Sequence, residues 1–311
     1  MRIVFFGTPD FAVATLKAIH EAGFDIVGVV TAPDKAAGRG MQLKMSAVKS
    51  YALSHHLPLA QPEKMRNPEF LDWLRNRHAD LQVVVAFRMM PEVVWNMPPL
   101  GTYNVHASLL PHYRGAAPIN WAIINGEKET GVTIFKLQHE IDTGPVLAQK
   151  SIAILPEDNA GSLHDKLMDI GAEAMVDVLK TLEAGTAKPI EQKQFGLEEI
   201  ALKKAPKIFT ETCSIDFTKT ADEVIDLIRG LSPYPAAFAT LDGKLLKIFA
   251  AAKAESCHGI LPGSMKTDGK NTLAFATKDN WVNILDLQLQ GKKRMDTGSF
   301  LRGYRFEQSG K

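Results

Sequence analysis

A chain of 311 residues, 45% hydrophobic and 23% charged with a formal net charge of +1, carries enough apolar surface to fold and is long enough for two domains. This balance argues against a disordered chain and against a protein that coats nucleic acid, and leaves room for a local basic patch. The apolar run in MRIVFFGTPD is shorter than that of a signal peptide and no stretch approaches the ~20 apolar residues of a membrane span. Cys213 and Cys257 form no CxxC pair, so a reducing cytoplasm is the expected location.

In chain order, RIVFF (2–6) reads as a strand, and the segment from about Asp10 to Ala22 as a helix with Phe11, Leu16 and Ile19 on one side and Gly23 as its stop. FDIVGVVT (24–31) is a second strand and 47–55 a helix. LQVVVAF (81–87) is a continuous apolar strand of the kind buried on both faces of a parallel sheet. GTYNVHA (101–107) is another strand, followed by a stretch crowded with turn residues and then a helix. GVTIFKLQ (131–138) and PVLAQKSIAI (145–154) are further strands. A long amphipathic helix runs from about Asn159 to Glu183, with Leu163, Leu167, Ile170, Met175, Val178 and Leu182 as apolar positions. The alternation implies an α/β doubly wound, mostly parallel sheet with right-handed crossovers.

KPIEQKQFGLEEIALKKAPK, from 188 to 207, is charged, weakly periodic and proline-marked, the pattern of a linker. TADEVIDLIRGL then opens with a capping-box pattern, Thr220 at the N-cap and Glu223 three residues on. Short alternating strands follow near 236–250, 260–266, 272–277 and 281–288, with turns at Asp242-Gly243, Pro262-Gly263 and Asp268-Gly269. Their close spacing suggests a smaller, OB-like β-barrel. The expected division is therefore residues 1–188, a linker at 189–206, and residues 207–311. Lys and Arg outnumber Asp and Glu from Ala205 onward, with GKKR (291–294) the densest basic cluster.

Several stretches bear on chemistry. FFGTPDF places a glycine turn between strand and helix, where phosphate sites occur, but it matches neither GxGxxG nor GxxxxGK[ST] and fits a tight connection equally. Asn104 and His106 are two residues apart on a strand, so both side chains point to one face, and at the carboxyl end of a parallel strand that face opens on the ligand cleft. An amide donor beside an imidazole suits a developing oxyanion; spacing alone fits a locally packed histidine as well. Asp142, in EIDTGPV, either bonds its own turn or is delivered by a loop to a site built elsewhere. His106 and His112 lack the spacing and company of metal ligands, so no metal is expected. DKAAGRGMQLK (34–44) is a glycine-rich cationic loop, read either as a phosphate grip or as a solvated surface loop.

Taken together and in order, FGTPDFA, PDKAAGRG, NVHASLLPHYRGAAPIN, GVTIF…IDTGPVL, SPYPAAF and LQLQGKKRM resemble the methionyl-tRNA formyltransferase family over nearly the whole chain. The resemblance implies a Rossmann-like catalytic domain, a linker and an OB-like domain that helps to hold tRNA. It implies transfer of a formyl group from 10-formyltetrahydrofolate to charged initiator methionyl-tRNA by a cytoplasmic monomer, with no metal and no covalent enzyme intermediate. By the same resemblance Asn104, His106 and Asp142 are catalytic, with Asn104 and a cationic His106 as oxyanion donors. Ser108, Leu109, Leu110 and Pro111 form part of the folate pocket, with Arg88 and Met90 of AFRMMP (86–91), which stands where members resemble AYGLILP. Lys35, Arg39, Lys44, Lys292 and Lys293 are the residues expected against tRNA. A glycinamide ribonucleotide formyltransferase would lack a domain like 207–311, and a non-catalytic RNA-binding protein would not need the Asn104, His106 and Asp142 trio.

Overall fold

The computed structural model describes residues 1–37, 42–196, 198 and 201–306, with the backbone alone at 35–37 and 42–43. The chain divides into two compact units. One gathers Met1–Gly115, Thr130–Ile152 and His164–Lys204; the other gathers Ala116–Glu129, Ala153–Leu163 and the chain from Ala205 onward. The boundaries expected near 188 and 207 cut the chain once. The compact units do not, because two earlier segments group with the C-terminal part.

The first part of the chain runs β1 (Arg2–Gly7), α1 (Asp10–Glu21), β2 (Asp25–Val30), a β3 (Lys35–Ala37) and β4 (Gln42–Lys44) hairpin, α2 (Ala47–Ser54), β5 (Leu59–Ala60), α3 (Pro68–Arg75), β6 (Leu81–Val85), α4 (Glu92–Trp95), β7 (Thr102–His106) and β8 (Arg114–Gly115). It continues with α5 (Pro118–Ile124), β9 (Glu129–Lys136), β10 (Val146–Ala153), α6 (Ala160–Glu183) and β11 (Lys204–Ala205). Seven strands form one sheet in the order β10-β9-β7-β6-β1-β2-β5. The pairs from β5 to β7 are parallel, and β9 lies antiparallel to β7. This is the mostly parallel, doubly wound sheet read from the alternating pattern, and the Rossmann-like domain that the resemblance implies. All of LQVVV in β6 is buried, as expected of a strand covered on both faces.

Register decides where the ligand end lies. Gly7 pairs with Val85, and Val85 with Val105, so the carboxyl ends of β1, β6 and β7 are level. His106 extends one residue beyond the last β6 pairing and is held there by Thr133 of β9. Helix α6 crosses behind this point at Gly171, where an added Cβ would lie 2.9 Å from Val105 Cγ1, so only glycine permits the close approach. Helix α3 escapes the sequence reading. Its eight residues bury Phe70 and Leu74 in the core, with Leu71 and Trp73 packed against it, and what starts it is the Asn67 side chain accepting the Glu69 N–H at 3.0 Å.

In the second unit, α7 (Ala221–Leu231) carries the expected capping box in full, with Thr220 and Glu223 bonding each other's backbone N–H. Strands β12 (Ala237–Leu241), β13 (Lys244–Ser256), β14 (Met265–Thr267), β15 (Leu273–Ala276), β16 (Asn280–Leu289) and β17 (Met295–Asp296), followed by α8 (Thr297–Gly303), complete it. Their antiparallel half-barrel has the order β12-β13-β16-β15-β14, with β17 on β16. Its core joins Val224, Ile228 and Leu231 of α7 to Leu246, Ile248, Val282 and Leu287. Ile124 of α5 packs on the same core. The stretch expected as a linker is more than that: a 3₁₀ turn spans Gln192–Phe195, and Gln192 is buried.

Candidate active site

His106 is the last residue of β7, and its ring packs edge-on to Phe135 of β9 with centroids 6.4 Å apart. Nε2 lies 2.9 Å from the carbonyl oxygen of Tyr113. A carbonyl can only accept, so Nε2 carries the hydrogen and the neutral ring presents its lone pair at Nδ1. Nδ1 faces Asp142 Oδ2 at 4.0 Å, with the two side chains 8% and 14% exposed. That separation is beyond a hydrogen bond, and becomes an attractive ion pair once Nδ1 is protonated.

Sequence spacing left open whether Asp142 reaches His106; the structure brings them together. Asp142 sits in the left-handed region at φ 56°, which turns its carboxylate inward, and Oδ2 accepts the Gly115 N–H at 2.9 Å. Two residues on, a Cβ at Gly144 would lie 1.8 Å from the Lys136 carbonyl oxygen, so this turn closes against β9 only with glycine there. Asn104, two residues before His106 on β7, is half-buried, and among the described residues its amide has no hydrogen-bond partner. An imidazole and a carboxylate thus meet at the carboxyl end of a parallel strand, with Asn104 on the same strand face two residues before.

The sequence reading passed over the residues that hold this group. Tyr113 and Gly115 lie in the turn after Pro111, whose composition marks a turn but not its partners. Gln192, in the expected linker, donates from Nε2 to the carbonyls of Asp142 and Gly144, both at 2.9 Å. Its Oε1 accepts from Arg114 Nε at 3.1 Å and Nη2 at 2.7 Å. Nothing in its local sequence signals this, because every partner lies at least 48 positions away.

Residues 108–111 follow directly. Ser108 is fully buried and donates to the His112 carbonyl at 2.8 Å. Thr133 donates to the Ser108 carbonyl and accepts the Leu110 N–H, and Gln149 donates to the Leu110 carbonyl at 2.8 Å. Leu110 packs with Phe135 and Val146, Leu109 is half-buried, and the Leu110–Pro111 peptide is cis. These bonds tie the backbone of 108–110 to the side chains of Thr133 and Gln149, and the half-buried Leu109 is the segment's more open apolar member.

Residues 1–179 match the formyl transferase family model and residues 207–305 the model of the formyl transferase C-terminal domain. A methionyl-tRNA formyltransferase of Bacteroides fragilis is 53% identical over 309 residues, covering 98% of this chain and 95% of that protein. The chain belongs to the methionyl-tRNA formyltransferase family. Methionyl-tRNA formyltransferases of Flavobacterium johnsoniae and Lachnospira eligens are 49% and 47% identical, each covered over 98% of its length by 100% and 99% of this chain. Among solved structures, HypX from Aquifex aeolicus in complex with tetrahydrofolic acid superposes with a TM-score of 0.66 at 20% identity, covering 99% of this chain and 48% of HypX. The chain spans about half the length of HypX. The sugar 3N-formyl transferase WlaRD gives 0.67 at 20% identity over 94% of this chain and 99% of its own. These two likenesses concern the fold.

Of the remaining residues singled out by likeness to methionyl-tRNA formyltransferases, Arg88 is exposed and donates to the carbonyls of Glu63, at 2.9 Å, and Pro62. Met90 is buried among Val4, Phe6, Val84 and Val94. Lys44, Lys292 and Lys293 are exposed and make no ion pair among the described residues. Their neighbour Arg294 is committed to Asp286 at 2.6 Å and stacks over Phe249. Arg39 and the side chain of Lys35 lie outside the described residues. Among those residues no group of three His, Cys, Asp or Glu side chains is placed to hold a metal ion, and no helix is long and apolar enough to cross a membrane.

Proposed function

We propose that this chain transfers the formyl group of 10-formyltetrahydrofolate to the free α-amino group of methionine esterified to initiator tRNA, releasing tetrahydrofolate. The observation that carries the reading is the meeting of His106 Nδ1 and Asp142 Oδ2 at 4.0 Å, with Asn104 on the same face of β7. It is supported by the close relatives, which are named for methionyl-tRNA and match over nearly the full chain. The amine attacks the formyl carbon, a new C–N bond forms, the bond from that carbon to the folate nitrogen breaks, and one proton passes from the first nitrogen to the second.

Each side chain has a task in that exchange. Asn104 donates an amide N–H to the formyl oxygen as it gains charge; one donor of this kind contributes about 10²–10³ in rate. With Nε2 committed to the Tyr113 carbonyl, His106 takes up the attacking amine's proton at Nδ1 and delivers it to the leaving nitrogen. This assigns His106 as a base rather than the preformed cationic donor expected from resemblance. Asp142 stabilises the imidazolium during transit; at 4 Å and an effective dielectric near 20 such a pair is worth about 4 kcal/mol before desolvation. Ser108 to Pro111, with Arg88 and Met90, are the folate segment of this reading. Residues 1–188 supply the catalysis, 189–206 connect, and 207–311 hold tRNA with Lys292 and Lys293, aided by Lys35, Arg39 and Lys44. The working form is a cytoplasmic monomer.

The test is formylation of methionine-charged initiator tRNA, with 10-formyltetrahydrofolate present or withheld. Formylmethionyl-tRNA made only with the donor is the expected result. Transfer to an amino sugar nucleotide but not to the tRNA would replace the acceptor assigned here.

A further inference from the structure

We propose that Gln192 is a positioning residue for formyl transfer, holding the two segments that grip the opposite nitrogens of the His106 ring; the proposal rests on the function assigned above. One segment is 113–115, whose Tyr113 carbonyl takes Nε2–H. The other is the turn at 142–144, whose Asp142 carboxylate faces Nδ1. Gln192 bonds both: Oε1 accepts from Arg114, next in chain to Tyr113, and Nε2 donates to the carbonyls of Asp142 and Gly144.

The amide has only one way to sit. A guanidinium has donors alone and backbone carbonyls are acceptors alone, so the oxygen must face Arg114 and the nitrogen must face the turn. Every polar capacity of the side chain is then used, at 4% exposure. Glutamate would set an oxygen against two carbonyl oxygens, and asparagine is one methylene short. The approach of the segment is itself fixed, since Ile190 and Val146 exchange two backbone bonds, both at 2.8 Å, just beyond the turn. Gln192 touches no reacting atom; it sets the distance between the carboxylate and the ring.

The experiment uses the full chain with Gln192→Met, which keeps length without charge or donors, measuring kcat and the donor KM for formylation of charged initiator tRNA. The expected kcat is lower by about 100-fold, the cost of a misplacement near 1 Å, with the donor KM unchanged. Gln192→Glu keeps an acceptor for Arg114 and loses both donors to the turn; it should suffer the same loss in kcat, and supplies the result if the methionine variant does not fold. A folded variant with wild-type kcat, or one that melts lower while its kcat per folded molecule stays put, overturns the proposal. Wild-type protein that fails to formylate the tRNA overturns the function as well, whereas active wild type beside an unaffected variant overturns this inference alone.

Discussion

Strand β7 and the turn from Ile141 to Pro145 contribute to the same site but are held in different ways. β7 is laced on both sides by backbone ladders, to β6 through Gln82–Thr102 up to Val85–Val105, and to β9 through Tyr103–Lys136 up to His106–Thr133. Its two functional side chains share a face because a strand alternates, whatever surrounds them. Among the described residues the turn has one such tie, from the Lys136 N–H to the Pro145 carbonyl at 3.0 Å. Its shape depends instead on the left-handed Asp142, on Gly144, and on donors sent by Gly115 and Gln192. Ladder-held positions should therefore tolerate truncation as structure and fail only as chemistry. Turn positions should fail as both.

The largest effect should come from the ladder. His106→Ala is expected to lower kcat by about 10³–10⁴, near the upper end of general acid–base contributions, with donor binding and melting temperature close to wild type. Asn104→Ala should cost about 10²–10³ for the lost oxyanion donor, again without loss of fold. Single-turnover formylation beside thermal melts checks both; near-normal turnover in His106→Ala would sink the assignment. Asp142→Asn keeps an oxygen for the Gly115 N–H and loses only the charge, so about 100-fold is expected, within the limit set by a pair near 4 kcal/mol. Gly144→Ala should cost about tenfold in kcat together with several degrees in Tm, because the new Cβ cannot share space with the Lys136 carbonyl. If Gly144→Ala lowered kcat and left Tm alone, the contrast between ladder and turn would not hold.

The smallest effect uses another turn as a control. Asp268 in the second unit accepts the backbone N–H groups of Thr272, Lys270 and Asn271, which hold its carboxyl at about 2, below the ordinary 3.8. A depressed carboxyl stabilises the fold above its unfolded value and loses that stability as pH falls through its folded one. Between pH 3.8 and about 2, then, wild type should lose denaturant resistance faster than Asp268→Asn. Equal slopes would mean that the turn does not depend on the charge.

The same contrast explains what could be read in advance. The turn at Asp268-Gly269 is legible from its Asp-Gly pair, and the donors that hold it lie two to four residues from the acceptor. The parallel sheet, the face shared by Asn104 and His106, and the Thr220–Glu223 box likewise follow from alternation, apolar continuity and capping within a few residues. The 4.0 Å approach of Asp142 to His106 could not be read this way, since 36 positions separate them and the turn is fixed by Gln192 from further off still. Gln192 lies among charged neighbours, and one buried amide leaves no periodic trace. Met90, which the resemblance assigns to the folate segment, is buried in the cluster that also holds Val84 and Val94, a burial its local sequence does not announce.

The composition of the second unit has a consequence for synthesis on the ribosome. Helix α5 packs on α7, with the Asn120 side chain donating to the Gly230 carbonyl at 2.7 Å and Ile124 lying against Gly230. Roughly 100 residues separate the two helices, about 5–20 s of elongation at ~5–20 residues per second. Over that interval the nascent chain carries α5 without the helix it packs on, and Ile124 lacks the core that later covers it. Arrest of translation before α7 would leave a polypeptide with the trio at 104, 106 and 142 already made, and an uncovered apolar helix for chaperones or proteases to find.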